Sequence, residues 1–183
     1  NVALPISASV TVGNKVISRT WTVTDACGNK ATSTQTIKII DASSPTWITG
    51  ADALNTSIEC NNLEALANAQ SLSPIAKDNC DTDVSNITKV SGTFVASSEC
   101  ANAGTYTNTW TVNDDCGNTS TVFTQVITIQ DTTAPTWSTQ ATALNTTVEC
   151  SDAEALATAQ AAFPTAADLC DTDVSNITKV VGE

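Results

Sequence analysis

Residues 110–137 read WTVNDDCGNTSTVFTQVITIQDTTAPTW, and residues 21–47 read WTVTDACGNKATSTQTIKIIDASSPTW. In the first, Trp110 and Val112 alternate with Thr, the period-two pattern of a half-buried strand. Asp114-Asp115-Cys116-Gly117-Asn118 then breaks the pattern with residues that accept the positive φ of a tight turn. Val126-Ile127-Thr128-Ile129 resumes as a β-branched strand. Asp131 to Pro135 ends it, because proline cannot donate to a sheet ladder and restricts the residue before it. Each stretch is therefore a β-hairpin, a short linker and the start of something new.

Working outward, more of the chain proves to be repeated. Asp41, Pro45, Trp47, Cys60, Pro74, Asp78 and Cys80 recur 90 positions later as Asp131, Pro135, Trp137, Cys150, Pro164, Asp168 and Cys170. DTDVSNITKV is identical at 81–90 and 171–180. The hairpin itself recurs at an offset of 89, with one residue inserted between Asn118 and Gln125. A period of this length is the size of a small sandwich domain rather than of a solenoid repeat. The expected organisation is the C-terminal part of one repeat (1–43), one complete repeat (44–133) and the N-terminal part of another (134–183). The expected fold is all-β: tandem Ig-like β-sandwich repeats, each with one short helix and disulfide staples, in a stretch of a longer array. Neither partial repeat is expected to be stable alone, since each leaves sheet edges open.

Strands are expected around Val10, Val12, Val16 and Ile17, about a Gly13-Asn14 turn, and again near Val84, Ile87, Val90, Phe94-Val95 and Tyr106–Val112. The helical signal is short. Asn61-Asn62-Leu63-Glu64 and Ser151-Asp152-Ala153-Glu154 read as capping boxes before EALANAQ and EALATAQ, and Pro74 and Pro164 bound them.

Composition narrows the function. The net charge is −12 with 41% hydrophobic residues, which suits folded β-rich material. That sign excludes nucleic acid and anionic membrane surfaces as partners, which require basic patches. No apolar run spans a membrane, so no membrane insertion is expected. NVALPISASV is not a signal peptide, and any targeting signal is expected outside this chain. There are seven cysteines and no histidine, and no C-x-x-C pair, which argues against zinc and redox motifs. Structural disulfides in an oxidising, extracellular setting remain. No histidine base, G-x-S-x-G elbow or phosphate loop is present, so no enzyme is expected.

Four cysteines fall in the complete repeat. If the strands from about 82 and 105 run antiparallel, Cys80 and Cys116 share one pole and Cys100 lies at the other. The segment ending at Cys60 should finish near Cys100. The expected pairs are Cys60–Cys100 and Cys80–Cys116, with Cys27, Cys150 and Cys170 pairing outside the chain. The position matching Cys100 in the first partial repeat, near Thr11, has no cysteine although Cys27 is kept; that disfavours a Cys100–Cys116 bond.

The same pole argument gathers Asp41, Asp81, Asp83, Asp114 and Asp115 at one linker, and Asp131, Asp171 and Asp173 at the next. Such carboxylates suit Ca²⁺, or else they simply build turns. Trp21 and Trp110 are expected in the core. Trp47 and Trp137, which follow the linker prolines, are expected to pack between repeats. Sequons begin at Asn55, Asn86, Asn118, Asn145 and Asn176, a frequency that an Asn- and Thr-rich chain produces by chance.

The W-T-x-x-D-x-C-G-N and D-x-x-x-P elements, with IEC and DNC upstream, resemble the HYR-like and immunoglobulin-like repeats of very large Bacteroidetes surface proteins. The resemblance covers essentially the whole chain. It implies a secreted, filamentous cell-surface adhesin, exported by type IX secretion and moved by the gliding machinery, with neighbouring repeats of the same chain as partners. Two other readings are a carbohydrate- or protein-binding accessory module of a secreted protein, and a calcium-rigidified adhesin stalk.

Overall fold

The computed structural model describes residues 14–182; the strand expected around Val10 and Val12 lies outside them. Among the described residues the chain is mostly β with two short helices. In chain order the elements are β1 (Lys15–Thr24), β2 (Lys30–Ile39), β3 (Thr46–Trp47), β4 (Thr56–Glu59), α1 (Leu63–Ser71), β5 (Ala76–Lys77) and β6 (Ile87–Val90). They continue with β7 (Val95–Ala96), β8 (Gly104–Val112), β9 (Phe123–Gln130), β10 (Thr136–Trp137), α2 (Ala153–Ala161) and β11 (Ala166–Ala167).

Contacts divide the chain into two compact units, one of residues 14–55, 71–93 and 106–126, the other of 56–70, 94–105 and 127–182. In the first, β1 and β2 pair antiparallel, with Trp21 opposite Ser33 and Thr24 opposite Lys30. The turn between them places Gly28 at φ +88°, and the matching turn places Gly117 at φ +89°. Both are left-handed positions that a side chain would strain. β3 pairs with β5, and β6 with β8, Ile87 facing Val112. The core of this unit alternates along the later strands: Trp110, Val112 and Phe123 are buried. Phe123 meets Trp110 edge-on at 6.0 Å and Trp47 at 5.5 Å, the arrangement ring quadrupoles prefer. Trp47 also donates its indole N–H to the Thr121 carbonyl at 2.8 Å. It therefore packs inside its own repeat, against the expectation of packing between repeats. Trp21 departs too: it is 52% exposed where its counterpart Trp110 is 1%.

The buried amide side chains of Asn108 and Gln125 are paired. Asn108 donates to Gln125 Oε1, and Gln125 Nε2 to the Leu54 carbonyl at 2.8 Å. Asn55 Oδ1 accepts from the Val126 N–H at 2.7 Å. Unpaired, the two buried amides would forfeit their hydration for nothing in return.

In the second unit β4 lies parallel to the end of β9, from Thr56 opposite Ile127 to Glu59 opposite Gln130. β7 pairs with the start of β8, and β10 with β11. Ile58, Ile127 and Ile129 are buried along this seam. The helices start one residue later than the capping-box reading placed them. Asn62 Oδ1 accepts from Ala65 N and Asp152 Oδ1 from Ala155 N. Each cap bonds three residues on, so Glu64 and Glu154 sit in the first turn, where they complement the helix dipole.

Candidate functional site

The chemistry-bearing residues collect around two equivalent cysteines. In the first unit the Asp78 carboxylate accepts the N–H groups of Cys80 (2.8 Å) and Asp81 (3.1 Å), and Asp81 accepts that of Asp83 (2.9 Å). In the second unit Asp168 accepts from Cys170 (2.8 Å) and Asp171 (3.0 Å), and Asp171 from Asp173 (2.9 Å). Short polar side chains looping back onto their own backbone make this nested turn. The two copies present their cysteines in the same way.

The hairpin turn closes on the first of these. Asp81 Oδ2 accepts from Asp115 N at 3.0 Å. Asp114 accepts from Cys116 N, Asn118 N and Asn118 Nδ2, the last two at 2.7 Å. Asn118 also donates to the Asp41 carbonyl at 3.3 Å. So the expected gathering of Asp41, Asp81, Asp114 and Asp115 at one linker exists, with Asp83 one step along, capping Ser85 N. Cys80 and Cys116 meet there as half-buried thiols. Burial, then the charges of Asp41 and Asp78, push the Cys80 thiol up. Little of it is thiolate at neutral pH.

Around the second cysteine the expectation fails. Cys60 is disulfide-bonded to Cys170, so the Cys60–Cys100 pairing is corrected, as is the placing of Cys170's partner outside the chain. Because β4 runs parallel to β9, Cys60 leaves the sheet beside Gln130, its N–H on the Gln130 carbonyl at 2.9 Å. The chain continues through Asp131, and Cys170 returns to the same end. Cys27, Cys100 and Cys150 are thiols, Cys27 and Cys150 exposed. Asp131 lies beside the Cys60–Cys170 pair and caps Thr133 N.

Three residues escaped the sequence reading. Asp78 and Asp168 organise the cysteine turns, and Glu59 fixes the linker, accepting from Thr132 Oγ1 at 2.7 Å and Gln130 Nε2 at 2.9 Å. Their signal is the recurrence of an acid beside or two before each cysteine, in DNC and DLC and in IEC and VEC.

As a calcium site the cluster fits poorly. Calcium takes about six to eight oxygens. Here Asp78, Asp81 and Asp114 already receive N–H donors. The ligand-distance group around Asp41 is completed by Asp78 and a sulfur, Cys80. Turn building accounts for the acids.

These bonds have a pH signature. Asn118 and the turn amides hold Asp114 low against the opposing effect of burial. The amides of Cys170 and Asp171 hold Asp168 low, and the Thr132 hydroxyl and Gln130 amide hold Glu59 low. Each binds fewer protons folded than unfolded, so its contribution is complete above the ordinary carboxylate range near pH 4 and is lost as pH falls through the folded values. Thermal melts should fall steeply in acid. Asp114→Asn should lower the neutral-pH melt and flatten part of that acid slope, because its amide would face the Asn118 amide. An unchanged acid slope would dissociate Asp114 from it.

Residues 51–129 match the family model of the HYR-like domain with four cysteines. That span holds Cys60, Cys80, Cys100 and Cys116, and it covers less than half of the chain. Domains of this family are extracellular, adhesion-type and non-enzymatic. No curated protein matches the chain. No helix among the described residues is long and apolar enough to cross a membrane.

Proposed function

We propose that the HYR-like domain matched over 51–129 is one link of a tandem array of Ig-like sandwich repeats, bounded near 44 and 133, and that the array is the stalk of a filamentous cell-surface adhesin. The observation that carries this is the Cys60–Cys170 bond. By the 90-residue period its two cysteines belong to successive repeats, so this joint between links is covalent. Short Pro-containing linkers, capped at Asp41 and Asp131, limit bending at each joint. The mechanism is mechanical: stapled sheets resist unfolding, and many copies supply reach. Following the resemblance to the gliding-motility adhesin SprB, the finer reading is a type IX-secreted filament moved by the gliding machinery. An accessory binding module is less well supported, because Trp47 and Trp110, the tryptophans of the complete repeat, are used internally.

In the complete repeat, where Cys80 meets Cys116, these two thiols form a second staple, whereas Cys170, the counterpart of Cys80, is used in the joint. The Cys80 and Cys116 thiols give up two protons and two electrons to a protein disulfide of the extracytoplasmic compartment, which is reduced to its dithiol. Non-reducing peptide mapping of protein secreted under oxidising conditions should return Cys60–Cys170 and Cys80–Cys116. Recovery of Cys80 and Cys116 as alkylated thiols would reject the second staple, and a Cys60–Cys100 peptide would reject the covalent joint. Digestion in the presence of a chelator should leave cleavage near Asp41 and Asp131 unchanged. Faster cleavage there would restore the calcium-rigidified stalk.

A further inference from the structure

Turn building accounts for one oxygen of each acid at the first linker. Asp41 Oδ1 accepts the Ser43 N–H at 3.0 Å, and Asp78 Oδ1 accepts both turn amides, those of Cys80 and Asp81. Asp41 Oδ2 is buried, and no hydrogen-bond donor among the described residues reaches it. A carboxylate oxygen in that position has given up its hydration for nothing in return. Oxygens of Asp41 and Asp78 and the sulfur of Cys80 lie within 4.8 Å of one another. The β8–β9 turn brings a second sulfur. Asp115 N–H on Asp81 and the Asn118 amide on the Asp41 carbonyl hold that turn against the cluster, and Cys116 lies close enough for its charge to act on Cys80. Two carboxylates and two thiols converge from three separate segments, so no C-x-x-C spacing announces them.

We propose that, with Cys80 and Cys116 as thiols, these side chains form a zinc site whose ligands are Cys80 Sγ, Cys116 Sγ, Asp41 Oδ2 and one oxygen of Asp78. The inference rests on the meeting of Cys80 with Cys116 described above, and it makes the metal the alternative to their disulfide. A mixed set of two sulfurs and two oxygens suits Zn²⁺, which takes thiolate and carboxylate in a tetrahedral shell. It does not suit Ca²⁺, which needs more oxygens and no sulfur. The local charge has the right sign. Burial, Asp41 and Asp78 disfavour a bare thiolate at Cys80, and a dication at the centre of the group reverses that repulsion. The second unit shows the other closure of the same set. There Asp131 and Cys60 lie with Cys170, Asp168 holds the Cys170 amide with its Oδ2 buried and without a donor, and the two sulfurs are bonded to each other. Zinc at the first linker is the counterpart of that disulfide. Asp41 follows β2, so an ion held by Asp41, Cys80 and Cys116 ties the preceding hairpin to the complete repeat.

The test uses the 183-residue protein, reduced with a phosphine, freed of reductant and kept under nitrogen. Zn²⁺ is added in modest excess, iodoacetamide is pulsed in, and the labelling of each cysteine is read by peptide mass spectrometry. Zinc should abolish labelling of Cys80 and Cys116 over a pulse that labels them fully without metal, and leave Cys27, Cys100 and Cys150 at their metal-free rates. Asp41→Asn keeps an oxygen for the Ser43 amide and removes an anionic ligand, so it should raise the zinc concentration for half-protection by about tenfold or more. Asp115→Asn removes the same charge from the neighbouring turn without touching the set, and should leave that concentration unchanged. Circular dichroism and tryptophan emission matching the wild type would show that both variants are folded. Zinc that leaves Cys80 and Cys116 open to labelling overturns the proposal. So does protection that extends equally to the exposed Cys27 and Cys150, or a loss in Asp115→Asn as large as that in Asp41→Asn, which would be an effect of bulk charge. The disulfide map of the secreted protein involves no metal. A Cys80–Cys116 peptide there together with failure here removes the zinc site alone, and protection here together with alkylated thiols there removes the staple alone.

Discussion

Cys170→Ser should cost the oxidised protein about 4 kcal/mol, and Cys60→Ser should cost the same. The bond encloses a separation of 110 residues. In the chain-entropy picture a loop of that length restricts the unfolded ensemble by roughly 4–5 kcal/mol. Native contacts around the bond reduce the purely entropic figure little, because Cys60 is already positioned by its hydrogen bond to Gln130 and Cys170 by its bond to Asp168. For a chain of this size the melting temperature should fall by about 10 °C. Urea unfolding followed by circular dichroism measures it. The double variant should lose no more than either single one, since both remove the same bond. Reduction of the wild type should reproduce the loss. If Cys60→Ser is costly and Cys170→Ser is silent, the partner of Cys60 lies elsewhere and the covalent joint fails.

The disulfide is also where sequence reasoning reached its limit. The two turns, the strands that flank them and the helices were legible, because period, turn residues and caps are local properties; the strand expected to begin near Val84 starts only at Ile87, and the two-residue strands at Ala76 and Ala166 carry no period to read. The clustering of Asp41, Asp81, Asp114 and Asp115 was legible too, since it follows from which strand ends share a pole. The partner of Cys60 was not. It depends on the direction of β4 relative to β9, which a four-residue segment does not announce, and on where the next repeat returns. Counting partners within a single repeat hides Cys170 from Cys60. Cys80 and Cys170 make the point together. They sit in the same hydrogen-bonded turn, yet one meets Cys116 and the other Cys60. The turn fixes how the thiol is presented, and tertiary context fixes what it meets.

The same separation of local from tertiary predicts a large asymmetry between two tryptophans. Trp21 and Trp110 open the same W-T-V-x-D-x-C-G-N sequence and precede turns of the same φ. Trp110 is 1% exposed, packed edge-on against Phe123 with the Lys89 ammonium 5.2 Å from its ring centroid; Trp21 is half exposed. Trp110→Ala removes a buried indole from a core that cannot collapse to fill it, and should cost roughly 3–5 kcal/mol. Trp21→Ala removes a ring already facing water, and should change the stability of the isolated chain by about 0.5 kcal/mol or less. Urea unfolding followed by circular dichroism separates the two. Equal losses would mean that the hairpin of residues 15–39 is as buried in the folded chain as its counterpart, and that the shared sequence rather than the tertiary context sets the contribution of the ring.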